Sequence, residues 1–598
     1  MRAFFAMLWN PEDPAVQTSA ARIRARFDED LRHKPRLIEA AGLVLADLSL
    51  DQKTSPLVAV ETAGAGCGSA AIFGTLFQPP VNDQPASRLP KLDGLAAGRF
   101  LRSGGRSLLA DAWGSYVALV SDGEQASIVC DPGASIPCYF TRQDGVLLVF
   151  SHLERCRFLN LQRFTVNYDF LSRLLAYDRI QTGETGLKEI RELLGGQRLF
   201  VSGSTERTEQ VWDPRAHAAE PWRIRPADAA ATLRDMAACM ARTWARQYDP
   251  THLDLSGGFD SSALAGLLAA PGTPPVITVH QRLLSDDPLE ADHARAAAAH
   301  AGLAYREIRL NPRQPLPAPD THPRSARPQR QFIGMDLSGP RREAGLPIAD
   351  ACFTGQGGDH LFLADRSPLG FCDFLRHEGL NGRIGQELID AARLSGLSVW
   401  SVLRACLPRI AGSGPSDLER SIAAHREKQG HRALRDLPGW MLRPDGLPPA
   451  KFNQVCNLMH MVQVREQFDR PWARNVVHPY ISQPLMELCL RIPAYILTSG
   501  GVNRGLARQA FKGLLPETIR QRMTKGSSTS YFMDYLMTNH DAALRVLRGG
   551  ALQSAGLVCD ADLEAMTSRE TYKISHTGRR LLVWYAVEAW LRAWRTQP

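Results

Sequence analysis

The residues best placed to do chemistry are Leu255-Ser256-Gly257-Gly258-Phe259-Asp260-Ser261-Ser262. An alternating stretch, Leu253-Asp254-Leu255, runs into them, and an Ala/Leu-rich run, Ala263 to Ala270, leaves them. That pattern predicts a strand, a tight turn and a helix. Two adjacent glycines let the backbone approach a phosphate closely. The helix start aims its unpaired N–H groups and positive dipole end at the same point. Ser256, Ser261 and Ser262 add hydroxyl donors. Asp260 would repel a bare phosphate, so it reads as a ligand for the Mg²⁺ that accompanies one. The plainer alternative is a surface turn capped by serines.

A second turn has the same character. Ala351-Cys352-Phe353-Thr354 is an apolar strand, and Gly355-Gln356-Gly357-Gly358-Asp359 follows it. Two carboxylates at separate strand ends, Asp260 and Asp359, are what a Mg²⁺ clamped onto phosphates needs. The elements that must hold them read as a parallel sheet. Ala229 to Arg246 is a long helical run with Asp228 placed to cap it. Val276 to His280 and Tyr305 to Leu310 are strands, with an Ala-rich helix over Ala291 to Ala301 between them. Strand–helix–strand–helix–strand at these lengths predicts an α/β sheet with ligands at the strand ends. Leu255 and Val279 lie at such ends, where their backbone groups could hold adenine or ribose. Asn311 to Gln331 is too rich in Pro for a regular helix or central strand. Ile384 to Ile410, Lys451 to Asp469 and Arg579 to Trp594 have helical patterns.

The totals bound the reading. A chain of 598 residues predicts two to four domains, and 44% hydrophobic with 22% charged residues is a globular composition. The net charge of +8 fits an anionic ligand, and no dense Lys/Arg block points to nucleic acid. The 11 cysteines are dispersed with no C-x-x-C pair, which predicts reduced thiols. The apolar N-terminus stops at Asn10-Pro11-Glu12-Asp13, too short for a signal peptide. No run approaches the roughly 20 apolar residues of a membrane span. A cytoplasmic protein is expected.

The S-G-G-x-D-S-S turn resembles the loop of the ATP-pyrophosphatase superfamily, and no G-x-x-x-x-G-K-[ST] is present. The resemblance implies cleavage between the α and β phosphates of ATP. The N-terminal part is β-rich. Its Ser107 to Ser121 segment, Asp131-Pro132-Gly133 turn, Pro137-Cys138-Tyr139-Phe140 and Ser151-His152-Leu153-Glu154 resemble the glutaminase-type domain of asparagine synthetases. Glutamine-hydrolysing members carry a nucleophilic cysteine after the initiator Met; here that residue is Arg2, and Cys67 reads as an incidental thiol. The fold class expected is therefore α/β and α+β in two domains. Residues 1–210 form an inactive glutaminase-like (Ntn-type) β-sandwich. Residues 211–598 form an adenylating synthetase with a parallel sheet and a helical C-terminal part.

The same resemblance extends through the synthetase part. Asp359 takes the role of the family's Mg²⁺ and pyrophosphate aspartate, and Thr354 and Gly355 join Leu255, Ser256, Gly257, Gly258, Asp260, Ser261, Ser262 and Val279 as ATP-binding residues. The family's glutamate is Gln356, which cannot serve as a base, although His360 lies nearby. Val477-His478-Pro479-Tyr480-Ile481-Ser482 resembles R-x-P-F-L-D, with Val477 and Ser482 replacing the arginine and aspartate of the small amino-acid pocket. Arg522-Met523-Thr524-Lys525-Gly526 resembles the lasso-peptide branch and makes Lys525 the expected cation at the α-phosphate and leaving pyrophosphate. The activity implied is a lasso peptide cyclase using ATP and Mg²⁺. It would adenylate an Asp or Glu side chain of a core peptide and join it to the peptide's N-terminal amine. The precursor peptide, a leader peptidase and a leader-recognition protein are the implied partners. A β-lactam or other small-molecule amide synthetase, and a pseudo-synthetase that only binds nucleotide or peptide, are the alternatives.

Overall fold

The computed structural model describes residues 1–31, 33–50, 56–60, 69–176, 182–203, 205–283, 288–334, 337–410, 437–442, 446–464, 472–524, 529–566 and 577–595. The first part of the chain supplies β1 (Phe4–Leu8), β2 (Arg36–Ala40), β3 (Leu43–Asp47), β4 (Leu57–Val60), β5 (Ser69–Phe77), β6 (Arg88–Leu89) and β7 (Lys91–Leu92). It continues with β8 (Trp113–Ser121), β9 (Gln125–Cys130), β10 (Tyr139–Gln143), β11 (Val146–Phe150), β12 (Arg191–Glu192), β13 (Gln197–Ser202) and β14 (Thr205–Gln210).

These strands build two mainly antiparallel sheets. One has the order β12-β10-β11-β1-β3-β2; the other runs β14-β13-β9-β8-β5-β4-β7, with β6 paired to β5. Alternation along β1 decides the layering. Phe4, Ala6 and Leu8 face inward and pack with Phe73, Val117, Leu119 and Ile128 of the second sheet. Ala3, Phe5 and Met7 face outward under Ala20, Ile23 and Phe27 of the helix Pro14–Leu31. The outer face of the second sheet is covered by Ala97 and Phe100 of the helix Gly94–Arg102. The expected sandwich is thus a helix–sheet–sheet–helix stack. Asp131 of the D-P-G turn is buried and accepts hydrogen bonds from Ser135 N and Oγ and Tyr116 N, which fixes the turn.

The second part supplies β15 (Thr251–Asp254), β16 (Val276–Leu283), β17 (Ala304–Leu310), β18 (Ala351–Thr354) and β19 (Val476–Val477), all parallel in the order β17-β16-β15-β18-β19. The chain steps outward from β15 to β17, then returns to the other side of β15 at β18. The point where the order reverses lies between β15 and β18, where an open parallel sheet leaves a crevice beyond its strand ends. Helices Pro226–Ala245 and Phe259–Leu268 pack on one face through Leu233, Met240, Ala263 and Leu264.

The two parts share a packed interface. Phe77, Trp113 and Trp244 form an aromatic cluster across it, with Phe77 and Trp113 each edge-on to Trp244. Trp212 Nε1 donates to Glu487 at 2.7 Å, and Ala86 N to Thr243 Oγ1 at 2.8 Å. The last helix, Thr577–Arg595, reaches back to the N-terminal part, where Phe164 meets Trp594 edge-on.

Two sequence readings need correction. Asp228 lies inside the first turn of Pro226–Ala245, whose cap is Arg225, because Pro226 already occupies the first helical position. Ile384 to Ile410 is two helices, Ile384–Ser395 and Val399–Ile410, because Gly396 adopts φ +67° and ends the first. The helix read over Lys451 to Asp469 is described as Pro449–Val464, and residues 465–469 lie outside the described residues. The Pro-rich 311–331 stretch has only short 3₁₀ turns, as its composition requires. Among the described residues, no helix is long and apolar enough to cross a membrane. Nine of the ten described cysteines are buried and none forms a disulfide; Cys67 lies outside the described residues.

Candidate functional site

The turn after β15 is built as its sequence demands. Gly257 has φ +79°, and a Cβ there would stand 2.6 Å from Glu290 O, so only glycine fits. Gly258 caps the helix Phe259–Leu268. Ser256 and Ser261 fold the turn onto itself: their hydroxyls are 3.0 Å apart, and Ser256 Oγ accepts from Gly258 N. Ser262 Oγ is buried with no hydrogen-bond partner among the described residues. A buried hydroxyl without a partner is costly, and it lies in the first turn of the helix, whose leading N–H groups have no intrahelical acceptor.

The turn after β18 is pressed directly against this one. A Cβ on Gly355 would lie 2.7 Å from Ser261 N, and one on Gly358 would lie 2.7 Å from Asp260 Cγ. Both glycines are therefore required by close approach of the two turns. Thr354 Oγ1 hydrogen-bonds His478 Nδ1 at 2.6 Å and accepts from Gln356 N. Gln356 is exposed and Gly357, at φ +100°, packs against Ile481.

Asp260 and Asp359 are brought together, as the sequence predicts, but by a residue whose role the sequence did not reveal. Arg504 Nε and Nη2 each donate to one oxygen of Asp260 at 3.0 Å, and Nη2 also reaches Asp359. Arg504 and Asp260 are both buried. Tyr480 donates to Asp260 O at 3.0 Å; burial, then the Asp260 charge, holds its phenol well above the ordinary range. Arg508 lies over the Phe259 ring at 5.0 Å, and burial lowers it to about 10. A cavity of about 30 Å³ opens here, lined by Asp260, Arg504, Arg508, Arg522 and Thr524 among others. The N-R-G-L-A-R spacing at Asn503–Arg508 was the available signal: two arginines one turn apart at a helix start.

The donor set fits Mg²⁺. Two hard carboxylates converge on one cationic centre, Arg504, which bonds both oxygens of Asp260 and Oδ1 of Asp359. Among the described residues there is no cluster of three or more His, Cys, Asp or Glu, so phosphate and water oxygens would complete the shell. Lys525 lies outside the described residues, one position beyond Thr524. Leu255 and Val279 stand side by side at the strand ends. Leu255 N donates to Val279 O at 2.9 Å and Leu255 O accepts from His280 Nδ1 at 2.9 Å, while both side chains are in the core. These bonds hold the strand ends to each other.

In the position that resembles the family's pocket aspartate, Ser482 is buried; its hydroxyl donates to Pro479 O at 2.8 Å and accepts from Trp244 Nε1 at 3.0 Å. Val477 is a buried strand residue.

The family model described as asparagine synthase matches residues 236–592, more than half of the chain. No curated protein matches the sequence. Solved structures give weak overall likenesses. One is the allosteric regulatory enzyme of purine biosynthesis, at 11% identity over 57% of this chain and 88% of that one, with a TM-score of 0.22. Another is the glutamine phosphoribosylpyrophosphate amidotransferase from B. subtilis complexed with ADP and GMP, at 11% identity over 60% and 77%, with a TM-score of 0.20. Neither superposition is close enough to carry an argument.

Proposed function

Because the chain belongs to the asparagine synthase family, whose domain type is that of an ATP-dependent amide-forming ligase, we propose that it adenylates a carboxylate and passes the acyl group to an amine within one peptide. The observation that supports this best is the contact of the two glycine turns, which sets Asp260 and Asp359 on a common cationic centre beside the start of the helix Phe259–Leu268. The helix N–H groups and Ser262 Oγ would receive the phosphates of ATP. Asp260 and Asp359 would hold Mg²⁺, which supplies neutralisation of phosphate charge when bound. Arg504, Arg508 and Arg522 supply fixed positive charge where pyrophosphate leaves, and Lys525 is assigned the same task at the α-phosphate. The substrate carboxylate attacks the α-phosphorus, pyrophosphate departs, and the amine then displaces AMP.

The substrate is read as a lasso precursor's core peptide. Arg2 stands in place of a glutaminase nucleophile, and Ser482 is locked into the packing beneath the loop where an amino-acid pocket would need a free carboxylate. With Gln356 in place of a carboxylate base, proximity within one folded peptide is left to supply much of the rate. A leader peptidase and a leader-recognition protein are the proposed partners.

The test is mass spectrometry of the full chain with ATP, Mg²⁺ and the peptide encoded beside it, leader removed. A product lighter by one water, with AMP formed and both lost in Asp260→Ala, is expected. Release of ADP in place of AMP refutes the adenylation. AMP formed with small carboxylates and no dehydrated peptide transfers the assignment to a small-molecule amide synthetase.

A further inference from the structure

The amine that closes the amide must lose a proton, and the carboxylates around the two glycine turns are poorly suited to take it. Asp260 and Asp359 are both bonded to Arg504. Glu290 is bonded to Arg522, and Asp254 Oδ1 lies 3.6 Å from Arg341 Nη1. A carboxylate beside a guanidinium keeps its charge and is a weak base. Gln356 has no basic atom. His280 is buried and stacks on Tyr305, and His293 faces Arg522.

His478 has a different setting. It directly follows β19, and its Nδ1 lies 2.6 Å from Thr354 Oγ1, within the range of a hydroxyl and its base. That hydroxyl accepts from Gln356 N at 3.2 Å, which turns its own proton toward Nδ1. Both residues are half-buried. The sheet register accounts for the pair. Phe353 stands beside Val477, so Thr354 and His478 meet across the carboxyl ends of β18 and β19. Thr354 also stands beside Asp254 of β15, which sets its hydroxyl at the edge of the crevice between β15 and β18. Two further contacts tie the pair to the first glycine turn. Gly355, next to Thr354, is pressed on Ser261 N. Tyr480, two residues past His478, donates to Asp260 O at 3.0 Å.

We propose that Thr354 and His478 together take the proton of the attacking amine. This rests on the ligase reading above and adds to it the acceptor that Gln356 cannot supply. The amine nitrogen bonds to the acyl carbon of the adenylate while its proton passes to Thr354 Oγ1, and the hydroxyl proton passes to His478 Nδ1. The bond from the acyl carbon to the phosphate oxygen breaks, and its electron pair leaves with AMP. The imidazolium then gives its proton to water. The first half of the reaction needs no such acceptor, because the carboxylate attacks already ionised. The pair therefore serves the second half alone.

The two halves can be read separately in the full chain. ATP–pyrophosphate exchange is followed with the peptide encoded beside it, leader removed and N-terminal amine acetylated, which can be adenylated but not closed. Cyclisation is followed by mass with the same peptide carrying a free amine. His478→Asn keeps an acceptor for the Thr354 hydroxyl but takes up no proton. It should leave exchange unchanged and slow cyclisation by about 10²–10⁴-fold. If His478→Asn cyclises at the wild-type rate, or if exchange and cyclisation fall together, the pair only clasps β18 to β19 and the proposal fails. Should His478→Asn not fold, His478→Ala is read with imidazole added in solution. Recovery of cyclisation by imidazole supports the proposal, and a rate indifferent to imidazole overturns it. Absence of exchange in the wild type refutes the adenylation itself, and the role given to the pair falls with it.

Discussion

The contact between the two glycine turns can be tested with one methyl group. In Gly358→Ala the new Cβ would lie 2.7 Å from both Cγ and Oδ1 of Asp260, and 2.9 Å from its Cβ. Carbon atoms in comfortable contact are about 3.5–4.0 Å apart. One turn must therefore retreat by roughly 0.8 Å or more. Asp260 cannot yield freely, since Arg504 grips both its oxygens at 3.0 Å. Overpacking of this kind costs about 1–3 kcal/mol of stability. The effect on activity should be larger, because a displacement near 1 Å among reacting groups costs about 10²-fold. The assay is AMP release with ATP and Mg²⁺, paired with the unfolding midpoint with and without nucleotide. Gly339→Ala is the control: a Cβ there meets nothing within 4 Å, inside the helix Ser338–Glu343. It should be neutral or stabilising by about 0.4–1 kcal/mol. If Gly358→Ala matches the wild type in activity and stability, the close apposition of the turns is not what positions Asp260.

Other consequences follow from named contacts. Arg504→Met leaves buried Asp260 beside Asp359 without a cation; it should destabilise by about 3–5 kcal/mol in chemical denaturation, with Arg504→Lys intermediate. Tyr480→Phe removes only the bond to Asp260 O and should cost about 1 kcal/mol; a loss above about 3 kcal/mol would mean that the phenol does more than hold the turn. His252 and His322 are both held down to about 4, chiefly by burial. Their folded pKa values lie below the unfolded 6.5, so the unfolded chain binds more protons between those limits, and stability should fall as pH drops from about 6.5 toward 4. His252→Asn, which still offers Arg341 an acceptor, should flatten that slope in denaturant midpoints measured from pH 7 to 4; an unaltered slope refutes the assignment.

The turns were legible because backbone geometry leaves no choice there. A positive φ at Gly257 and the close approach at Gly355 and Gly358 admit one residue type, so the pattern is written in the sequence. The strands of the parallel sheet were legible for a similar reason: they are short apolar runs bounded by turn residues. Arg504 was not. Its partner Asp260 is 244 residues away, and nothing local marks which arginine will meet it. The mutual hydrogen bond of Leu255 and Val279 was not legible, because it requires the register of β15 against β16. The break at Gly396 was hidden because the apolar stripes of the two helices run on almost in phase across it.

The separation of 244 positions from Asp260 to Arg504 has a meaning for how the protein is made. A ribosome adding about 5–20 residues per second needs roughly 10–50 s to pass from one to the other. During that interval the first glycine turn exists without its second wall and then without its cation. The segment around Gly186 waits longer still, since Trp590 of the last helix is what packs on it. A nascent chain stopped short of that helix would carry the glycine turns and their arginines yet leave Gly186 without the indole that packs on it. Nucleotide binding during synthesis would therefore be a late event, arriving just ahead of the segment that seals the N-terminal part.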